Sequence, residues 1–330
     1  MGRVARAIAN AALAHPNIDV TFLHRGTRDD HALRGVFDGR DIAIAHAVSA
    51  RAPGRYDVVW FPWNGMHFGA RAPAVVSIHD AFAFTQPARG VVARRREQAP
   101  IRRAAHQARR IVTPSFWSRA EIVRTLRVDP ESVVVIPNPR DPFFHPGPPE
   151  QARSYVLMVG VGEGRKNARV VIEACSQAFS APSDMLVIVG RPSNEDAARL
   201  RQLRLRHTVL TDVEDDALRS LYRGARVVTV PSTAEGFGLV PVEAMACGTP
   251  VLVSSGGALP ESTEGAAPLL DPLDVAAWRD AIARVLRDDG FAAMLAARGA
   301  QRFADRDPAA SLHSYLDLFF LTAEGAARSA

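Results

Sequence analysis

The chain has 330 residues, 47% of them hydrophobic and 23% charged, which suits a soluble globular protein too long for one ordinary core and so divided into two domains. Its net charge of +5 is uneven: residues 1–150 carry 21 arginines against 13 acids, and residues 151–330 carry 19 basic against 22 acidic residues. No apolar run approaches the ~18–20 residues of a membrane span, the basic, alanine-rich start MGRVARAIAN is not a secretory leader, and two distant cysteines, Cys175 and Cys247, exclude a disulfide framework or zinc spacing and suit a reducing cytoplasm.

In chain order, the first half holds five short β-rich runs: IDVTFL (18–23), YDVVWF (56–61), AVVSIH (74–79), RIVTPS (110–115) and SVVVIP (132–137). The arginine-rich segment RGVVARRREQAPIRRAAHQARR (89–110) lies among them, with eight arginines and one acid, Glu97. It reads either as a solvated helix face or as a surface for an anionic membrane or substrate. Nucleic acid is disfavoured, because no aromatic platform interleaves with the arginines and no nucleic-acid-binding motif is present. Six prolines in PNPRDPFFHPGPPEQARS (137–154) mark a linker.

The second half repeats the rhythm with YVLMVG (155–160), MLVIVG (185–190), HTVLTD (207–212), RVVTVP (226–231) and TPVLVS (249–254), and helical stretches separate these runs. Near-continuous Val/Ile/Leu runs predict strands of parallel sheets buried on both faces. The βαβ rhythm occurs twice, so two doubly wound α/β domains are expected, with ligands beyond the carboxyl ends of their strands in a shared cleft. The expected domains are residues 1–140 and 154–308, joined by a linker at 141–153, with an amphipathic helix at 309–330 that returns to the first domain.

Two stretches carry the chemistry. VGVGEGRKN follows a strand and holds Gly162, Arg165 and Lys166, the only lysine beside 39 arginines. Glycines allow close backbone approach, a helix start offers N–H groups, and two cations follow, which together suit a phosphate. The spacing G-x-G-x-G, with no acid after the next strand, argues against a dinucleotide site. The second stretch, RVVTVPSTAEGFGLVPVEAMACGTPVLVSSGGALPE (226–261), places Glu235 in a loop and Glu243 on a helix from about Leu239 to Cys247. Eight residues are just over two helical turns, so a turn beginning near Gly236 would aim both carboxylates to one side. Paired carboxylates suit sugar hydroxyls better than phosphate. The backbone at Phe237, Gly238 and Leu239 would meet the anionic part of the same ligand.

EGFGLVPVEAMACGTPVLVS resembles the signature of the retaining glycosyltransferases of family 4, which have the GT-B fold of two Rossmann-like domains facing a central cleft. VGVGEGRKN, IVTPSFWSRAEIVRTLRVDPESVVVIPNP, APAVVSIHDAFAF and MGRVARAIANAALA are similar to further segments of that family, in the same order. The resemblance implies transfer of a sugar from a nucleotide diphosphate sugar, GDP-mannose or a UDP-sugar, to an acceptor hydroxyl with retained configuration and with no cofactor or metal. The IHD and RKN variants suggest mannosyltransferase-type members. It implies that Arg165, Lys166 and Gly162 hold the diphosphate, Glu243 the ribose, and Glu235 the transferred sugar. His79 would face sugar and acceptor from the first domain. The base would fall near Val213, after the HTVLTD strand, and Gly2 and Arg3 would belong to the acceptor loop.

The chain opens inside that loop, so either the true start lies upstream or the protein is truncated, and a sheet without the family's first strand is expected to carry unpaired edges or an apolar slot. The alternative reading is a catalytically degenerate GT-B protein that binds a nucleotide sugar or a partner without transfer. The acceptor is expected to be a saccharide, free or lipid-linked, met at the cytoplasmic membrane face by the 89–110 segment.

Overall fold

The computed structural model describes residues 2–25, 42–87, 90–148, 155–304, 307 and 309–327. The chain divides into two compact units, residues 1–141 with 307–330 and residues 142–306, and each is a Rossmann-like α/β domain. No helix among the described residues is long and apolar enough to cross a membrane.

The first unit opens with α1 (Arg3–Ala14), which buries Ala5, Ile8, Ala9 and Ala12. That i, i+3, i+4, i+7 spacing is one face of a helix. Strands β1 (Thr21–His24) and β2 (Ala43–His46) form a parallel pair. A separate four-stranded parallel sheet runs β3 (Val59–Phe61), β4 (Ala74–Ser77), β5 (Arg110–Thr113) and β6 (Val133–Val135). Between β4 and β5 lie α2 (Phe82–Thr85) and α3 (Val91–Gln107), and α4 (Phe116–Leu126) follows β5. Among the described residues the two sheets share no ladder, so β1 pairs only with β2 and β3 only with β4.

The chain returns to this unit at its end. A late helix, Ala310–Ala327, sets Tyr315, Leu316, Leu318 and Phe319 against Ile8, Ala12, Val75 and Val112.

The second unit holds six parallel strands: β7 (Tyr155–Val159), β8 (Met185–Val189), β9 (His207–Leu210), β10 (Ala225–Val230), β11 (Val251–Ser254) and β12 (Leu269–Leu270). Their order is β12-β11-β10-β7-β8-β9. Successive side chains of β7 alternate between two cores, as a pleated strand requires. Val156 and Met158 join Ile172, Cys175, Trp278 and Ile282 on one face. Tyr155 and Leu157 join Tyr222, Val228 and Met245 on the other.

Burial of every strand on both faces, expected from the continuous apolar runs, holds for β4, β10 and β11 but not for the edges. All four residues of β1 are only half-buried, and Thr208 and Val209 of β9 are exposed. An edge strand has one neighbour and less cover, and the residue run does not encode position in the sheet.

Candidate functional site

The strand order fixes where a site forms. From β7 the chain winds outward through β8 to β9, then crosses back to β10 and winds outward the other way. β7 and β10 are neighbours at that reversal, and the loops after them flank one crevice. These loops carry the two stretches singled out in the sequence.

After β7 the backbone turns through Gly160 (φ +76°) and Gly162 (φ +112°). A Cβ on Gly162 would stand 2.6 Å from the Arg191 carbonyl oxygen, so this close approach needs glycine. One turn of 3-10 helix, Gly164–Lys166, leads to Asn167 in the left-handed region (φ +51°), and helix α5 (Ala168–Ala178) begins there, with α6 (Asn194–Gln202) following β8. Asparagine adopts this conformation more readily than most residues, and here its Nδ2 also donates to the carbonyls of Pro231 (3.2 Å) and Pro272 (2.6 Å). The Thr233 amide donates to the Arg165 carbonyl at 2.7 Å. The turn after β7 is therefore tied to the loop after β10.

Between them lies a buried charge cluster. Glu235 is 7% exposed. Its Oε1 accepts from Lys166 Nζ at 2.8 Å and from Ser232 Oγ at 2.6 Å. Its Oε2 accepts from Arg165 Nη1 at 3.0 Å. Burial alone pushes the Glu235 carboxyl up, but Lys166, Ser232 and Arg165 together outweigh it and hold the group below the usual carboxylate range. Arg165 also pairs with Glu163 at 3.0 Å.

The lone lysine now has a local reason. Its ammonium lies over Gly160, where a Cβ would stand 3.9 Å from Nζ. A compact cation with three donors on a flexible stem fits there, whereas a planar guanidinium needs a flat slot.

The loop is held from its other side by the turn after β11. A Cβ on Gly257 (φ +62°) would lie 2.5 Å from the Glu235 carbonyl oxygen, and one on Gly256 would lie 2.6 Å from the Thr233 carbonyl carbon. The Ala258 amide donates to the Glu235 carbonyl at 2.9 Å, and Ser254 Oγ donates to the Ser232 carbonyl. Gly257→Ala combines a strained backbone with a clash. We expect it to destabilise the protein by about 3 kcal/mol, read as a lowered midpoint in urea unfolding.

Glu243 lies on helix α8 (Leu239–Ala246) and is 7% exposed. Its Oε2 accepts from the Tyr222 hydroxyl at 2.9 Å. Tyr222 is fully buried on α7 (Asp215–Gly224), with the Phe144 ring edge-on at 5.7 Å. The two-turn alignment of Glu235 and Glu243 does not occur. α8 begins at Leu239, after Gly238 in the left-handed region (φ +91°), so Glu235 belongs to the loop and takes its direction from Arg165, Lys166 and Ser232. Phe237 is buried and Leu239 is 40% exposed. Val213 is half-buried in the connection after β9. Both cysteines are buried, and the Cys247 thiol is pushed up to about 12, which rules them out as nucleophiles near neutral pH.

His79 belongs to the first unit, just past β4. Its amide donates to Asn64 Oδ1 at 2.8 Å and its Nε2 lies 3.3 Å from the Pro62 carbonyl. A carbonyl only accepts, so Nε2 carries the proton in this contact and Nδ1 holds the lone pair in the neutral ring. Burial lowers the imidazole pKa, against the opposing pull of Asp80 and the Pro62 hydrogen bond, which favours the neutral form. The Trp63 ring lies 5.2 Å from the His79 ring and is 62% exposed. Gly2 caps α1 beside Trp63, where a Cβ would stand 3.9 Å from that indole, and Arg3 pairs with Asp141 at 3.2 Å.

Ser232, Tyr222 and Trp63 escaped the sequence reading, and Asn167 entered it only as the last residue of the RKN motif. Only Trp63 left a signal, a tryptophan next to Asn-Gly just past a strand.

Two family models cover the chain in sequence. Residues 1–142 match the Glycosyltransferase Family 4 model, and residues 140–302 match Glycosyl transferases group 1. The O-antigen chain mannosyltransferase B of Escherichia coli is 32% identical over 247 residues, covering 68% of this chain and 64% of that protein. The D-inositol 3-phosphate glycosyltransferase of Acidothermus cellulolyticus is 31% identical over 300 residues, covering 80% and 66%. The chain thus spans a little under two thirds of the length of these relatives.

Among solved structures, WaaG, a glycosyltransferase involved in lipopolysaccharide biosynthesis, superposes with a TM-score of 0.72 at 16% identity, covering 97% of this chain and 96% of that one. Anabaena HepE in complex with UDP and glucose gives 0.71 at 19% identity, covering 96% and 95%. At such identities these structures speak for the fold.

Proposed function

The chain belongs to the family 4 glycosyltransferases of GT-B fold, and from that premise we propose that it moves a sugar from a nucleotide diphosphate sugar to an acceptor hydroxyl with retention of configuration. The observation that carries this reading is the cluster of half-buried Arg165 and Lys166 on the buried Glu235, in the crevice between β7 and β10.

The assignments follow from charge. Breaking the anomeric bond builds negative charge on the leaving diphosphate and positive charge on the sugar ring. Arg165 and Lys166, beside the turn at Gly162 and the helix start at Phe237, Gly238 and Leu239, are already oriented for the first. Glu235 stabilises the second and accepts from the sugar's hydroxyls. Glu243, fixed by Tyr222, accepts from the ribose hydroxyls. Val213 borders the base. The acceptor hydroxyl attacks the anomeric carbon from the leaving group's own side and gives its proton to the departing phosphate oxygen, so no protein nucleophile forms. His79, neutral and with Nδ1 as acceptor, orients hydroxyls of the sugar or acceptor, and Gly2 and Arg3 border the acceptor.

The donor is GDP-mannose or a UDP-sugar, supported by a mannosyltransferase among the relatives and by the UDP and glucose held by HepE. The acceptor is a saccharide, free or lipid-linked.

The test is calorimetric titration with GDP-mannose, UDP-glucose, UDP-N-acetylglucosamine and the free diphosphates. One sugar nucleotide binding well above the others identifies the base and supports the donor site. Silence from all of them, with a folded protein, overturns the assignment. Product analysis with saccharide acceptors separates transfer from binding alone. Because two protein cations serve the diphosphate, transfer is expected to persist at full rate in excess EDTA. Loss of activity in EDTA, restored by a divalent ion, would contradict that charge assignment.

A further inference from the structure

The turn after β3 holds an indole in solvent. Of the four tryptophans, Trp278 is fully buried and Trp60 and Trp117 are half-buried, whereas Trp63 is 62% exposed. The backbone just past it is tightly constrained. Asn64 adopts a positive φ of +30°, and its Oδ1 accepts from the His79 amide at 2.8 Å. Gly65 follows at φ +115°, where a Cβ would lie 2.6 Å from the Pro100 carbonyl oxygen. The Met66 amide donates to that same carbonyl at 2.9 Å, and His67 Nε2 donates to the Trp63 carbonyl at 3.1 Å. A positive φ at a non-glycine residue costs free energy and persists only where the surroundings enforce it. The strained turn thus fixes a large apolar ring at the surface.

The ring stands at the carboxyl end of a parallel sheet, where ligands bind in folds of this class. β3 and β4 are neighbours, so the turn after β3 sets Trp63 beside His79, with the rings 5.2 Å apart. The result is a flat apolar face with a hydrogen-bond acceptor, His79 Nδ1, in the adjoining ring. A pyranose has the matching construction. Its axial C–H groups form an apolar face of positive partial charge, which suits the negative face of an indole. Its hydroxyls lie around the rim, where an imidazole can accept from them. A phosphorylated ligand would instead call for cations, and Arg3, the cation next to Gly2 at this indole, is engaged by Asp141 at 3.2 Å.

We propose that Trp63 is the stacking platform for the acceptor, a neutral pyranoside whose C–H face lies on the indole while one of its hydroxyls donates to His79 Nδ1. Calling this sugar the acceptor rests on the transferase reading. The stacking itself does not.

The test is tryptophan fluorescence of the full chain with acrylamide as quencher. The chain is titrated with methyl pyranosides of mannose, glucose, galactose and N-acetylglucosamine and with their homodisaccharides. At least one saccharide is expected to blue-shift the emission and to protect it from quenching, and Trp63→Phe should lose both signals. By calorimetry, Trp63→Ala should weaken that saccharide about 30-fold, and Trp63→Phe should weaken it less, because a smaller ring remains. Trp63 is exposed and the donor residues lie in the other unit, so both variants should keep the parent's melting temperature and donor titration. Saccharide affinity that Trp63→Ala leaves unchanged overturns the proposal. So does protection by inositol 1-phosphate and by none of the neutral saccharides, or no protection at all, even where donor titration upholds the transferase reading. Protection without transfer from any sugar nucleotide leaves the stacking site standing and removes the transferase reading.

Discussion

Lys166→Ala is expected to weaken binding of the sugar nucleotide about 100-fold, or about 3 kcal/mol, while the protein stays folded. The ammonium at 2.8 Å from Glu235 is one of two half-buried cations at the crevice, and a diphosphate bound there would share it. Removing it leaves Glu235 with Arg165 and Ser232, so the carboxylate keeps two of its three donors. The stability penalty should then be about 1–3 kcal/mol, below the 5–15 kcal/mol of an ordinary domain. Calorimetry measures the affinity and urea unfolding measures the penalty. Lys166→Arg should recover part of the affinity, because charge returns but the compact geometry over Gly160 does not. Unchanged donor affinity in Lys166→Ala would sink the diphosphate assignment.

Glu235→Gln should move two quantities in opposite directions. Transfer is expected to fall by about 10²–10³, because the charge facing the developing positive ring is gone. Binding of the free nucleoside diphosphate is expected to tighten about 10-fold, because an internal anion no longer competes for Arg165 and Lys166. A residue that serves only to hold the loop would lower both together, so the split separates the roles. The acid limb of stability adds a third readout. The folded pKa of Glu235 is depressed below its ordinary 4.5, so its contribution is complete above that value and is lost as pH falls through the folded value. The variant's stability should therefore decline less steeply than the parent's below about pH 4.5.

Much of the architecture was legible in the sequence because each feature is local. Val/Ile/Leu runs gave the strands, the prolines around 137–148 gave a break, and the glycines at 160, 162 and 238 stand at positive φ where the turns need them. The sequence therefore determined two α/β halves, a glycine-rich turn ending in the lone lysine, and a carboxylate-bearing loop after a later strand. It did not determine which strands are less covered, as β1 and β9 are, since a residue run does not encode position in the sheet. Nor could it orient Glu235. Helical spacing was the only ruler along the chain, and it fails because α8 starts at Leu239. Tertiary structure decided that point. The crossover from β9 back to β10 sets β10 beside β7 and so brings Lys166 onto a carboxylate 69 residues away. Burial then makes the cluster consequential, because charges removed from water must be paired with one another until an anionic ligand takes part.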